Sequence, residues 1–388
     1  MSKDGPEPSS TPSIFTPYLS PSLASHLSST PNPIDVDSLC RTPLSRLQQT
    51  ALPNLGLIEL VSSTDFATLY DDLYISSFPK RPERENSDLI VARLAAQAAN
   101  TRTGLAPYRI VGLRDREGKA IGAAQFSVLP LPVRDDYTTR ADGLDSTSTT
   151  TGGSPPALAV PYLQYIYIRP SSRRQDMSEV LHTFVLAVAA ADASTILSFP
   201  PAKSLVVRAP NDIIPTGSGI DSNSRTRVHP QNHTTHVPFT LFETEPPDHG
   251  VDASSRSYAL ERSKIHTSTG GVAVVLLRRR PKGEVEGKGD DDDDEIRQIL
   301  SAHVQPGLEP DDPPLTLVWV IRPSPNPGVV YDLGQVGKDL VAAYYQSLRD
   351  EGFPEANIAL AERMVEERCR DADFHLMPLA QVSDFKNT

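Results

Sequence analysis

Residues 157–193 read ALAVPYLQYIYIRPSSRRQDMSEVLHTFVLAVAAADA, and the change of period within them decides the fold. From Leu158 to Ile168 the chain carries no charge and is rich in Val, Ile and Tyr, as a central strand buried on both faces requires. Arg169 and Pro170 end it. From Met177 the apolar positions fall at Val180, Leu181, Phe184, Val185 and Val188, the spacing of a helix with one buried stripe. The reading is strand, turn, helix.

The turn, Pro170 to Ser178, leaves the first amides of that helix without intrahelical partners, beside Arg173 and Arg174. Such a terminus attracts phosphate or carboxylate. The alternative is an ordinary strand–helix unit in which Asp176 or Ser178 caps the helix and the arginines are solvated.

Upstream, GLIELV from about Leu55 reads as a short strand. A helix follows from Thr64-Asp65 to about Phe78, carrying Phe66, Leu69, Leu73 and Ile75, and a second runs from Asp88 to Ala99. Tyr108 to Leu113 and Ala120 to Leu129 make a hairpin, with Gly118 supplying the positive φ of its connection. Downstream, KSLVVR (Lys203 to Arg208) reads as a short strand. Pro238 to Phe242 reads as another, with Glu243 and Glu245 projecting to the same side at its end. Ser255 to Ile265 suits a helix and the stretch from Gly270 a strand. LTLVWVI from Leu315, with the single tryptophan Trp319, is a further strand, and Val336 to Leu348 and Ala356 to Cys369 are closing helices.

Composition sets the limits around this frame. With 388 residues there is enough chain for a substantial core, while 36 prolines indicate long irregular segments. Residues 1–52, dominated by Ser, Pro and Thr, are expected to be a disordered tail. Insertions are expected at about 134–156, 209–232 and 282–312; the last contains five consecutive aspartates, which repel one another and stay in water. A single domain from about residue 53 to the end is the expected unit. The net charge of −12 excludes a general nucleic-acid or anionic-membrane binder, which needs a basic surface. Cys40 and Cys369 make neither a disulfide framework nor a zinc site, no membrane span and no signal peptide are expected, and the expected location is cytoplasmic, the nucleus not being excluded. His229, His233 and His236 fit no dedicated zinc spacing, so no metal is expected.

The stretch Arg173-Arg174-Gln175-Asp176-Met177-Ser178 resembles the acetyl-CoA-binding motif of the GCN5-related N-acetyltransferase superfamily, where a strand leads through an Arg/Gln-x-x-Gly-x-Gly/Ala turn into a helix. Asp176 and Ser178 stand where the family has its two glycines. YLQYIYIRP and LFETEPP resemble a subgroup with YLEYxxV and LEVEPP at the two strand ends, Gln164 replacing a Glu. The order of elements is also similar.

The resemblance implies an α/β fold of the α+β kind, a mixed, largely antiparallel sheet flanked by helices, and an N-acetyltransferase using acetyl-CoA or another acyl-CoA and an unidentified amine. The coenzyme pyrophosphate would lie on Arg173, Arg174, Gln175, Asp176, Met177 and Ser178, its arm along Tyr165, Ile166 and Ile168, and amides near Leu163 to Ile166 would polarise the thioester carbonyl. Glu243 or Glu245 would take the proton, Gln164 would hold water or substrate, and Tyr258 would protonate the thiolate. A neutral amide at Gln164 cannot act as a base. That change, with Asp176, supports a second reading, an acetyltransferase-like fold serving as a binding or scaffolding module. A nucleotide-binding reading lacks any P-loop or GxGxxG signature.

Overall fold

In a computed structural model, residues 12–81, 84–133, 138–139, 157–196, 235–250, 252–279, 298–382 and 385 are described. Their centre is a mixed sheet in the order β1 (Leu57–Leu60), β2 (Tyr108–Arg114), β3 (Ala120–Pro130), β5 (Ala157–Ile168), β7 (Phe239–Thr244), β10 (Val318–Pro323), β8 (Val272–Arg278), β12 (Ala372–Met377). β6 (Thr235–His236) pairs with β5 and β9 (Ile299–Ser301) with β8, while β4 (Thr138–Thr139) and β11 (Val329–Val330) form a separate pair. Among these strands the pairings are antiparallel except those of β5 with β6 and β7. The expected mixed, largely antiparallel sheet flanked by helices is what the chain forms.

Alternation along the strands distributes the core over both faces. Val318 and Val320 face one side of β10 and Trp319 and Ile321 the other; Ala273 and Val275 alternate with Val274 and Leu276 on β8 in the same way. On the first face lies α6 (Met177–Ile196), its stripe of Val180, Leu181, Phe184, Val185 and Val188 fully buried. α7 (Ala253–Ser268) packs at the edge of the same face, where the His266 ring lies tilted against Phe242 with centroids 4.6 Å apart. The opposite face carries two groups. At one end, α3 (Ser63–Asp65), a π turn (Phe66–Tyr70), α4 (Asp71–Ser77) and α5 (Ser87–Ala98) cover β2 and β3; at the other, α8 (Leu333–Asp350) and α9 (Glu355–Cys369) cover β10, β8 and β12. The gap between these groups, over β5 and β7, is where the site lies.

Two expectations need correction. Residues 12–52 are not a disordered tail: α1 (Pro21–Ser28) and α2 (Leu44–Thr50) lie on the α6 face, and Phe15, Leu23 and Leu47 are fully buried. The Phe15 ring meets Phe184 edge-on at 5.3 Å, and the Ser20 amide donates to the Ile58 carbonyl. Each buried anchor contributes roughly 1.5–3 kcal/mol, enough for a few apolar residues to hold a Ser/Pro-rich segment down. The insertion expected over 282–312 is too long at its C-terminal end. β9 joins the sheet at Ile299, and Leu300, Ala302, His303 and Val304 are buried against Trp319 and α8. The strand expected at Lys203–Arg208 and the insertion at 209–232 fall outside the described residues, as do most of 134–156 and residues 1–11.

Candidate active site

The site forms where the parallel pair stops. Tyr162 pairs with Leu241 and Leu163 with Phe242, and beyond these the two strands no longer pair. At the same place β5 bulges. Gln125 of β3 stands opposite Tyr165 while its neighbour Phe126 stands opposite Leu163, so Gln164 is the extra residue. A bulge reverses the in–out parity of a strand. Tyr162 and, past the bulge, Tyr165 and Tyr167 therefore share one face, while Ile166 and Ile168 pack with the α6 core.

Tyr162, Gln164 and Tyr165 line a cavity of about 200 Å³ together with Glu243, Thr244 and Glu245 at the end of β7. Its walls are Phe78 and Glu85 near the α4–α5 connection, Tyr344 and Leu348 of α8, Phe353, and the segment carrying Gln305, Pro306, Leu308, Leu315 and Leu317. Arg262 of α7 reaches its edge. The structure thus brings three of the four expected catalytic residues, Gln164, Glu243 and Glu245, to one cavity. The fourth, Tyr258, is 56% exposed and outside the lining; it is tied to the site through Arg262, whose guanidinium lies 5.6 Å from its ring centre and 3.0 Å from Glu245 Oε2.

Glu243 is held by residues that sequence reasoning missed. The Tyr162 hydroxyl donates to Glu243 Oε1 at 2.8 Å, and His303 Nε2 lies 2.9 Å from the same oxygen. His303 is stacked on Trp319 at 4.8 Å and meets Tyr344 edge-on at 4.7 Å, so its ring is fixed on both sides. Burial works against the charge on Glu243, and His303 with the hydroxyls of Tyr162 and Tyr344 outweighs it, holding the carboxyl below the ordinary range. Burial and Glu243 push the Tyr162 phenol well up, so it serves as a donor. Gln164 Oε1 is buried with no hydrogen-bond partner among the described residues, and the Thr244 hydroxyl, on a residue 2% exposed, is likewise unpaired.

On the other face, the turn before α6 takes an unusual backbone. Arg174 and Asp176 have φ of 62° and 54°, the left-handed region that glycine favours. The Asp176 carbonyl accepts from the Glu179 and Val180 amides and starts the helix. Its carboxylate does not cap. It receives a bidentate pair from Arg46, at 2.8 and 2.9 Å, and the Thr50 hydroxyl at 2.8 Å. The Arg46 hydrogen bond holds this carboxyl below the usual range. Arg173 and Arg174 are exposed, the first donating to the Ile168 carbonyl at 3.2 Å; Gln175 reaches the Ser171 carbonyl, Met177 is buried and Ser178 half-buried.

The N-terminal segment frames this turn. The Arg41 amide donates to Glu179 at 2.7 Å, and its guanidinium reaches the Thr269 carbonyl at the end of α7 at 3.2 Å. Glu179 is also paired with Arg322. Arg46 offered no signal in the sequence, because its partner is 130 residues away.

Among the described residues no group of three His, Cys, Asp or Glu side chains is placed to hold a metal ion, and no helix is long and apolar enough to cross a membrane. His229 and His233 fall outside the described residues. The chain matches no protein-family model, no curated protein and no solved structure.

Proposed function

We propose that this chain is an acyl-CoA-dependent N-acyltransferase resembling the GCN5-related superfamily, taking acetyl-CoA or another acyl-CoA and transferring the acyl group to an amine. The observation that carries the reading is the parallel β5–β7 pair that stops pairing at a bulge, beside a cavity lined by the Glu243 carboxyl group. The turn at the far end of β5 supports it. Asp176, where the family has its first glycine, adopts the left-handed backbone that glycine favours, and Arg46 offsets the charge that Asp176 adds. Arg173 and Arg174 then leave the turn net positive, and unpaired amides at a helix start favour a pyrophosphate.

In this reading Arg173, Arg174 and the amides from Gln175 to Ser178 hold the pyrophosphate, and the edge of β5 from Tyr165 to Ile168 holds the arm. The amides around the Gln164 bulge orient and polarise the thioester carbonyl. The cavity holds the amine. An amine that arrives as its ammonium first gives one proton to solvent; as the C–N bond then forms and the C–S bond breaks, the neutral amine loses one more proton and the thiolate gains one. Glu243, within reach of the Tyr162 hydroxyl, takes the proton that the neutral amine loses. Glu245 is committed to Arg262, which makes it the weaker candidate. Tyr258 lies outside the lining and touches it through Arg262, which makes it a weak candidate for the acid.

The second reading, a binding module without turnover, draws on Gln164 and on the Arg41–Thr50 segment that lies against the turn. Thiol release separates the two. The full chain, incubated with acetyl-CoA and a panel of primary amines, releases CoA in an amine-dependent way if it is a transferase, and Glu243→Gln lowers that rate at least tenfold. Release no faster than buffer with every amine leaves the binding module.

A further inference from the structure

The walls of the cavity restrict what amine it takes. This inference rests on the transferase reading for what happens to the ligand, but not for whether the ligand binds. Carboxylates of Glu85, Glu243 and Glu245 line the cavity against one guanidinium, Arg262. Glu85 is paired with Arg93 and Glu245 with Arg262, both arginines, whereas Glu243 is faced by a histidine and two tyrosine hydroxyls. Gln164 Oε1, a pure acceptor on another lining residue, has no donor among the described residues. A carboxylate and an unmatched amide oxygen on one floor suit a group with several N–H donors and a positive charge. The rest of the lining is aromatic or aliphatic: Tyr165, Phe78, Phe353, Leu308, Leu315 and Leu348.

Volume sets the size of the body that follows the charge. A dry apolar cavity of about 150 Å³ accommodates benzene. The space here is about 200 Å³, enough for one ring plus a short arm and an ammonium. A polyamine's second charge would find only Glu85 and Glu245, each already held by an arginine. An extended lysine stem would leave the breadth of the cavity unfilled.

We infer that the cavity binds a small free primary monoamine whose apolar body is about one ring in size, the ammonium on Glu243 and Gln164 Oε1 and the ring between Phe78, Tyr165 and the leucines.

The test is calorimetric titration of the full chain, without coenzyme, with 2-phenylethylamine as probe. Against it stand 2-phenylethanol, which lacks the charge, methylamine, which lacks the body, spermidine, and Nα-acetyl-lysine amide as a peptide-like amine. The expected result is binding of 2-phenylethylamine at least tenfold tighter than each of the four, and a loss of at least tenfold in Glu243→Gln. Because that variant disturbs a buried network, Leu315→Trp provides a second check: Leu315 is 49% exposed, so the variant folds, and the added bulk weakens 2-phenylethylamine at least fivefold with little effect on methylamine. Equal or tighter binding of 2-phenylethanol, spermidine or the lysine amide overturns the inference. So does unchanged affinity in Leu315→Trp. If acetyl-CoA binds and 2-phenylethylamine does not, this inference fails while the transferase reading stands; the reverse pattern keeps the amine site and removes the transferase.

Discussion

Replacing Phe15 by alanine is a severe test of the claim that the N-terminal segment belongs to the fold. The side chain is fully buried, its ring edge-on to Phe184 at 5.3 Å, in a cluster with Leu23, Leu47, Leu181 and Val188. Truncating a buried phenylalanine removes its transfer free energy and leaves a cavity, together about 3–5 kcal/mol. With a urea dependence of roughly 3 kcal/mol per molar, the unfolding midpoint should fall by about 1–2 M. A double-mutant cycle with Phe184→Leu isolates the ring contact, for which about 0.5–1.5 kcal/mol of coupling is expected. The assay is urea unfolding followed by tryptophan fluorescence, Trp319 being buried in the opposite core. A loss below about 0.5 kcal/mol, the effect of an ordinary surface substitution, would refute the packing described for residues 12–52.

Other consequences follow from the charged groups. Burial, with Arg262 and Arg322 nearby, brings His266 from 6.5 down to about 4, so it stays neutral in the folded chain while the unfolded chain takes up a proton near 6.5. Stability from this group is full above about pH 6.5 and lost as pH falls toward about 4; His266→Gln should flatten that part of a urea-midpoint profile against pH, and an unchanged slope would count against it. Glu243, held below its usual 4.5, contributes stability that is complete above that value and fades as pH falls through its lower folded pKa. Glu243→Gln should therefore lose its stability difference from the parent chain under strongly acidic conditions, measured as the same midpoint at pH 7 and pH 3. Thr50→Ala removes a donor to Asp176 and, through the turn, should weaken acetyl-CoA two- to tenfold in titration; no change would separate the N-terminal segment from the turn's function.

Much of the fold is legible in the sequence because period and punctuation are local. The uncharged run before Arg169 and the helical spacing after Met177 give β5 and α6 to within a residue at their junction. Gly118, with φ of 79°, marks the β2–β3 hairpin. Glu243 and Glu245 could be singled out from a strand end, and Gln164 from the resemblance of YLQYIYIRP, and the structure puts them in one cavity. What the sequence hides is long-range. α1 and α2 are short helices amid Ser and Pro, and only burial of Phe15, Leu23 and Leu47 against α6 fixes them. His303 follows a charge run with no strand-length pattern of its own, and its role depends on stacking against Trp319. The bulge that turns Tyr165 toward the cavity is a property of register, which no single strand encodes. Arg46 and Asp176 meet only after folding, which is why Asp176 reads in isolation as a defect in an anion-binding turn.

The central claim is that this turn still holds an acyl-CoA despite Asp176 and Ser178. Calorimetric titration of the full chain with acetyl-CoA, alongside Arg173→Glu, tests it most directly. The account predicts saturable binding in the micromolar range, weakened at least tenfold by the substitution. No heat at millimolar coenzyme, or binding that Arg173→Glu leaves unchanged, would contradict it.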